Sequence, residues 1–425
     1  METSSFEVDS KWMRKFIPIW SAQLFSLLGS GLVQFALVWW ITQKTGSAAY
    51  LAMATFVAVL PEVILAPFAG ALVDRLNRRH VMIVADGVIA LVTLVLAILF
   101  AFDLVQIWHI FMVIFLRSSG SIFHWPALQA STSLMVPEKH LSRIAGINQA
   151  LRGSLNIIAP PLGALLMSLL KFYQVIAVDV VTAIIAITPL LFIRIPQPVR
   201  VDAGEMITPK SLFKDVAEGI RYMKNWRGLL YLTFIAALLN FLLAPAGMLS
   251  PLMVTQHFKA GVWELSIIES SMGIGIVIGG LTLGVWGGFK SKIATSLSGV
   301  IGLGLGVLIF GLAPENMFWV AAAAMVLLGF MNPMANGPLQ AIMQSKVAPE
   351  LQGRVMGTTA SICTAMMPLS MLISAPVAEL FGLRVWYWLG GGLTILIGLG
   401  AFFIPSIMAL DHSQKDLKTA PISAD

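Results

Sequence analysis

Residues 16–41 read FIPIWSAQLFSLLGSGLVQFALVWWI, a run without one charged side chain. A helix rises about 1.5 Å per residue, so this stretch spans about 39 Å, more than the roughly 30 Å of bilayer hydrocarbon. Lys11, Arg14 and Lys15 precede it in the manner of a secretory signal. No small-residue cleavage site follows, so the run is read as an uncleaved first membrane helix.

Working outward, runs of the same kind recur to the far end of the chain. Of the 425 residues, 58% are hydrophobic and 11% charged, whereas ordinary soluble domains are about 45–50% apolar and about 25% charged. In lipid the backbone must satisfy its own hydrogen bonds, which leaves helices or closed barrels. The runs are continuous rather than alternating, so helices are expected, at 16–42, 50–73, 81–102, 107–134, 143–170, 174–193, 228–254, 264–288, 293–313, 317–345, 354–381 and 384–408. The fold class is therefore an all-α membrane protein of twelve transmembrane helices. The net charge of +6 is scattered between spans, not gathered into the footprint that nucleic acid requires. The single cysteine, Cys363, permits no disulfide within the chain.

One connection is long. Residues 194–227 hold Pro196, Pro198, Pro209 and seven Lys or Arg, with Leu212, Val216, Ile220 and Met223 on one face of a helical pattern over 211–225. This is read as a cytoplasmic linker joining a six-helix bundle over 1–193 to a second over 228–425. Lys and Arg are retained on the cytoplasmic side. With both termini inside, 21 of the 27 fall there, against Lys44, Lys171, Lys259 and Arg384 outside and Arg117 and Arg152 within helices. The expected location is the inner (plasma) membrane.

The halves also repeat. Pro126-Ala127-Leu128-Gln129-Ala130, Val136-Pro137-Glu138, Arg143 and Gly146 return as Pro338-Leu339-Gln340-Ala341, Val347-Ala348-Pro349-Glu350, Arg354 and Gly357. Parallel repeats of this kind place a substrate site between the halves near the bilayer midplane and argue for alternating access.

Several polar positions stand out against the apolar background. A cation at the depth of Arg117 costs at least about 2.5 kcal/mol and needs a partner. Glu62, near the centre of the second helix, is the candidate counter-ion. The pair reads equally as a proton-coupling site and as a permanent structural bridge. Asp86 lies near the cytoplasmic end of the third helix, within reach of a network with Asp74. Asp179 and Glu269 lie near the outer face, where snorkelling to water is easy; Glu269 is also considered a cation contact. Asn148, Arg152 and Asn156 share one face of the fifth helix and, with Gln23, Gln34, Asn240 and Glu269, are candidates to line a cavity. Glycines at 275, 279, 280, 284, 288, 302 and 306 give Gly-x-x-x-Gly spacings that bring helices close. The chain has no phosphate-binding glycine loop, spaced Cys/His set or nucleophile beside a base. No enzyme, metal site, cofactor or ATP-driven step is therefore expected.

The loop after the second helix reads GALVDRLNRR over residues 70–79. It resembles the signature Gly-x-x-x-Asp-Arg-x-x-Arg-Arg of the major facilitator superfamily, departing at Asn77, where glycine is usual. Gly70 permits close helix contact, Asp74 suits the positive N-terminal end of another helix, and Arg75, Arg78 and Arg79 suit lipid phosphates or carboxylates. The loop reads also as a plain positive-inside segment. The resemblance implies a conformational latch of these residues and Asp86 against Gly353-Arg354, closing the cytoplasmic side. The second half carries no acid at the matching place. Ala159-Pro160-Pro161-Leu162-Gly163-Ala164 resembles the antiporter motif Gly-Pro-x-x-Gly-Gly with its outer glycines lost, and reads equally as a helix kink built on Pro160, Pro161 and Gly163.

A closer resemblance covers nearly the whole chain. Thr45-Gly46-Ser47-Ala48, Val73-Asp74-Arg75, Ala85-Asp86, Arg117-Ser118, Phe123-His124-x-Pro126-Ala127, residues 178–181 and Gly353-Arg354-Val355 are similar to the macrolide-efflux branch of drug:proton antiporters. That implies export of a small lipophilic substrate in exchange for protons, with the proton gradient as the energy source; the chain is expected to act as a monomer in the lipid bilayer. The same branch is similar to siderophore exporters and lysophospholipid carriers, so these cargoes stay open. A non-transporting membrane sensor is the third reading; the short segments outside the first and last spans argue against it.

Overall fold

The computed structural model describes residues 12–197, 221–222, 226–347, 349–408 and 410. All regular structure among them is helical: α1 Trp12–Thr45, α2 Ala48–Arg75, α3 Arg78–Ala101, α4 Ile107–Met135, α5 Glu138–Leu169, α6 Phe172–Phe192, α7 Arg227–Leu252, α8 Val262–Trp286, α9 Lys292–Leu312, α10 Phe318–Lys346, α11 Pro349–Phe381, α12 Leu383–Ala401 and a final turn, α13, Pro405–Met408. Twelve of these are long and apolar enough to cross a membrane.

Most helices outrun the spans expected from hydropathy. α5 begins at Glu138 rather than 143, and α11 at Pro349 rather than 354. Hydropathy marks the greasy length, whereas the hydrogen-bond ladder continues through polar residues until a terminator. Pro349 sits at the first helical position, where its missing N–H costs nothing. The twelfth span is shorter than expected, because a turn after Ala401 splits off α13. α7 passes into a π-helical turn over Met253–His257, just after Pro251. The amphipathic helix expected over 211–225 falls almost wholly outside the described residues.

By their contacts the residues divide into two units, 1–207 with 261–266, and 208–260 with 267–425. In the first, α1 packs on α5 and α6, α3 on α4 and α6, and α2 on α4. In the second, α7 packs on α11 and α12, and α9 on α10 and α12, while Gly275 and Gly279 of α8 abut Val326 and Phe330 of α10. Shifting every label by six converts one scheme into the other.

The polarity of each bundle is that of a protein dissolved in lipid. On α3, Met82, Asp86, Ile89, Thr93 and Leu96 are buried, while Val84, Val88, Leu91, Val95 and Ile98 form an exposed apolar stripe. In water such a stripe would drive aggregation. Small residues close the second bundle. A methyl group on Gly275, Gly279 or Gly299 would run into the α10 backbone, and one on Gly302 into Met331. Gly284 meets nothing, so that part of the glycine pattern is not a packing face.

Candidate functional site

In the first unit a cavity of about 460 Å³ is lined by Ser30 and Gln34 of α1, Glu62 of α2, and Arg117, Ser118, Ser121 and Trp125 of α4. Arg117 does not pair with Glu62. Its guanidinium bonds the carboxylate of Asp179 on α6, and also donates to Thr93 Oγ1 at 2.5 Å and Ser30 O at 3.5 Å. Asp179 further accepts from Ser30 Oγ at 2.9 Å and Thr93 Oγ1 at 3.3 Å. Asp179 is 0% exposed, which corrects the expectation that it snorkels to water. Arg117 lies ten residues into α4 and Asp179 seven into α6, two helices running the same way. The depth offset is thus about 5 Å, which an arginine side chain spans. Glu62 is exposed to the cavity and has no ion-pair partner among the described residues.

A second polar cluster is fully buried. Asp86 accepts a hydrogen bond from Gln23 Nε2 at 3.1 Å and faces His124 Nε2 of α4 at 3.4 Å. That last approach is an ion-pair distance without hydrogen-bond geometry, since His124 Nε2 and Gln23 Oε1 both lack a hydrogen-bond partner. The expected link from Asp86 to Asp74 falls on a side chain outside those described, as do Gly70, Arg75, Gly353 and Arg354 beyond their backbone.

The α5 face is divided. Asn148 accepts from Trp20 Nε1 at 2.6 Å, and the Arg152 guanidinium lies 3.2 Å from the Trp125 ring centroid. Both line a narrow crevice of about 20 Å³ with Gln23. Asn156 is exposed and lines neither space. Pro160 and Pro161 lie inside a continuous α5, and Gly163 admits the Phe35 ring, which a methyl group would meet at 2.8 Å.

The second unit holds a cavity of the same size, about 460 Å³, and opposite character. Leu239, Leu243, Met272, Leu303, Phe310, Met325, Leu328 and Met367 line it, and its polar side chains, such as Asn240, Asn332, Asn336 and Ser296, carry no charge. Asn240 donates to Ala236 O at 2.9 Å. Glu269, expected in a cavity, is half-buried on α8 and does not line this one. Asn332 and Asn336 were not singled out from sequence, although their spacing of four on a helix with no charge between them is a readable signal.

The sequence profile of the Major Facilitator Superfamily matches residues 19–371. The chain belongs to that superfamily. Among its relatives, Macrolide efflux protein A of Streptococcus pyogenes is 35% identical over 402 residues, covering 95% of this chain and 98% of that protein. Multidrug efflux pump Tap of Mycolicibacterium fortuitum is 25% identical over 404 residues, covering 93% and 96%. A solved mutant of the nucleoside transporter NupG shares the fold, with TM-score 0.71 at 15% identity, over 94% of this chain and 99% of that one. As a superfamily member this is a multi-pass membrane transporter and not an enzyme. The superfamily signature can be read in its described part. Asn77, in place of the usual glycine, has φ −69° and caps α3 by accepting from the backbone N–H of Arg79 at 3.1 Å and of His80 at 3.4 Å. Two of the signature arginines, Arg78 and Arg79, meet protein carbonyls, where lipid phosphates or carboxylates are the expected partners, and the Arg75 side chain lies outside those described. Arg79 donates from Nε to Leu190 O and from Nη2 to Leu191 O, the latter at 2.7 Å, at the end of α6. Arg78 Nη1 donates to Ala130 O at 3.3 Å. Arg79 thus meets orphan carbonyls and the local dipole together at the C-terminus of α6.

Proposed function

We propose that this transporter exports lipophilic or amphipathic organic molecules of the macrolide kind from the cytoplasm by proton antiport and alternating access. Near end-to-end similarity to Macrolide efflux protein A carries the reading. The cavity in the second unit supports it, because a large neutral ligand is held by apolar surface with a few orienting hydrogen bonds, and methionines adapt to irregular shapes. Glu62 is assigned the coupling proton, being a carboxylate at membrane depth that faces a cavity without a cation bound to it. Arg117 is assigned a supporting role through Asp179, and Asp74, Arg75, Gly353 and Arg354 the cytoplasmic latch.

The test is erythromycin efflux from cells expressing the chain, with and without a protonophore. Efflux that stops with the protonophore is the expected result; efflux indifferent to it sinks the antiport mechanism, and no efflux at all sinks the cargo. Orientation has its own test, in a Cys363→Ser background. An impermeant thiol reagent added to intact cells is expected to reach Glu315→Cys, between α9 and α10, and not Lys290→Cys, between α8 and α9.

A further inference from the structure

Asp86, which the sequence places with the cytoplasmic latch, stands beside His124 in the structure, and no role above uses the two as a pair. We propose that it is a second proton-binding site of the transport cycle, separate from Glu62 and reached by water through the crevice beside Gln23. This rests on the antiport reading for its purpose but not for its chemistry.

Two buried acids of the first unit differ in how they are held. Asp179 accepts from Arg117, Thr93 and Ser30; a permanent cation and two hydroxyls fix its ionised form, and a carboxylate so held is a poor proton acceptor. Asp86 has one amide donor and an imidazole. Imidazole is the side chain whose charge ordinarily changes near neutral pH. One proton held by either Asp86 or His124 makes the pair electrically neutral, whichever member carries it. A second proton makes it a net cation, and loss of the first leaves a bare anion, each disfavoured away from water. The occupancy of the pair therefore follows its hydration.

Among the described side chains, α3 brings Asp86 and, two turns away, Arg78, which donates to Ala130 O of α4, and α1 brings the neutral Gln23; the side chains of Asp74 and Arg75 of α2 lie outside those described. Glu62 of α2 faces the large cavity on one side of Trp125, and Arg152 of α5 faces the crevice on the other. Arg117, two helical turns along α4, and Asp179 of α6 neutralise each other. Two polar atoms point to a missing partner: Gln23 Oε1 and His124 Nε2 are buried and unbonded. Gln23 also lines the crevice of about 20 Å³, and a water needs about 10–15 Å³. A water there would meet Gln23, Asn148 and Arg152 and lie one side chain from Asp86, which Gln23 contacts.

The experiment uses the full chain in detergent, labelled with ¹⁵N-histidine, with the His124 signal identified by its loss in His124→Gln. We expect the pH response of that signal, followed from pH 5.5 to 8.5, to be altered in Asp86→Asn. A signal that does not respond to pH across that range, or a response indifferent to Asp86→Asn, overturns the site. In proteoliposomes, accumulation of erythromycin driven by a pH gradient is expected to fall at least tenfold in His124→Gln or in Asp86→Asn, well beyond any fall in gradient-free exchange. Full driven accumulation by both variants overturns its place in the cycle. Should the wild type not move erythromycin at all, the cargo assignment fails and the titration still decides the pair.

Discussion

The Arg117 guanidinium on α4 clamps the Asp179 carboxylate on α6, and Thr93 of α3 and Ser30 of α1 close the ring around them. Four of the six helices of the first bundle thus meet at one buried ion pair. Removing one member strands the other in a low-dielectric interior, at a cost of about 3–5 kcal/mol. Arg117→Ala is therefore expected to depress thermal stability in detergent sharply. The double variant Arg117→Met/Asp179→Leu, which removes both charges, is expected to recover most of that stability. If the double variant is no more stable than Arg117→Ala, the pair is not what holds these helices.

Glu62 is the opposite case. It is exposed to its cavity, so Glu62→Gln is expected to leave stability within about 0.5 kcal/mol of wild type while abolishing efflux driven by a pH gradient. Parallel melting and proteoliposome assays separate these effects. Full coupled efflux by Glu62→Gln would remove the residue from the mechanism.

Asn77 offers a local test of helix capping. Losing its two backbone contacts in Asn77→Ala is expected to cost about 1 kcal/mol, whereas Asn77→Gly costs only a few tenths. Melting temperatures that rank alanine above glycine would contradict the cap.

Glycine contacts in the second bundle predict a contrast between near neighbours. Gly279→Val drives a branched side chain into the Phe330 backbone and is expected to cost roughly 1–3 kcal/mol or more, read as loss of folded protein on size exclusion. Gly284→Ala, with open space around it, is expected to be silent.

All twelve spans were legible in the sequence because lipid imposes length and hydropathy together, and both can be counted. Partners inside the bundle were less so. Arg117 announced its need for a counter-ion, but Asp179 was counted from the end of its span as though a short distance from the surface meant contact with water. Burial by the neighbouring α1 and α3 decides that, and no period in α6 reports it. Glu62 matched the depth of Arg117 and even shares its cavity, yet proximity lost to the hydrogen bonds that Thr93 and Ser30 supply. Arg78 and Arg79 show the same limit: a basic loop reads as facing lipid headgroups until the ends of α4 and α6 are seen beside it. On α5 the four-residue rhythm placed Asn148 and Arg152 together rightly, but Asn156, two turns from Asn148, had already drifted off that face.

The duplicated packing scheme carries two unlike interiors, acidic and basic groups in one bundle and leucine, methionine and asparagine in the other. On the proposed function, that division keeps the residues assigned to proton coupling apart from those assigned to cargo contact. Substitutions at Leu239, Met272 or Met367 are then expected to change which cargo is accepted while the groups assigned to coupling stay in place. The proposed cargo range and the proposed energy coupling would be free to evolve separately.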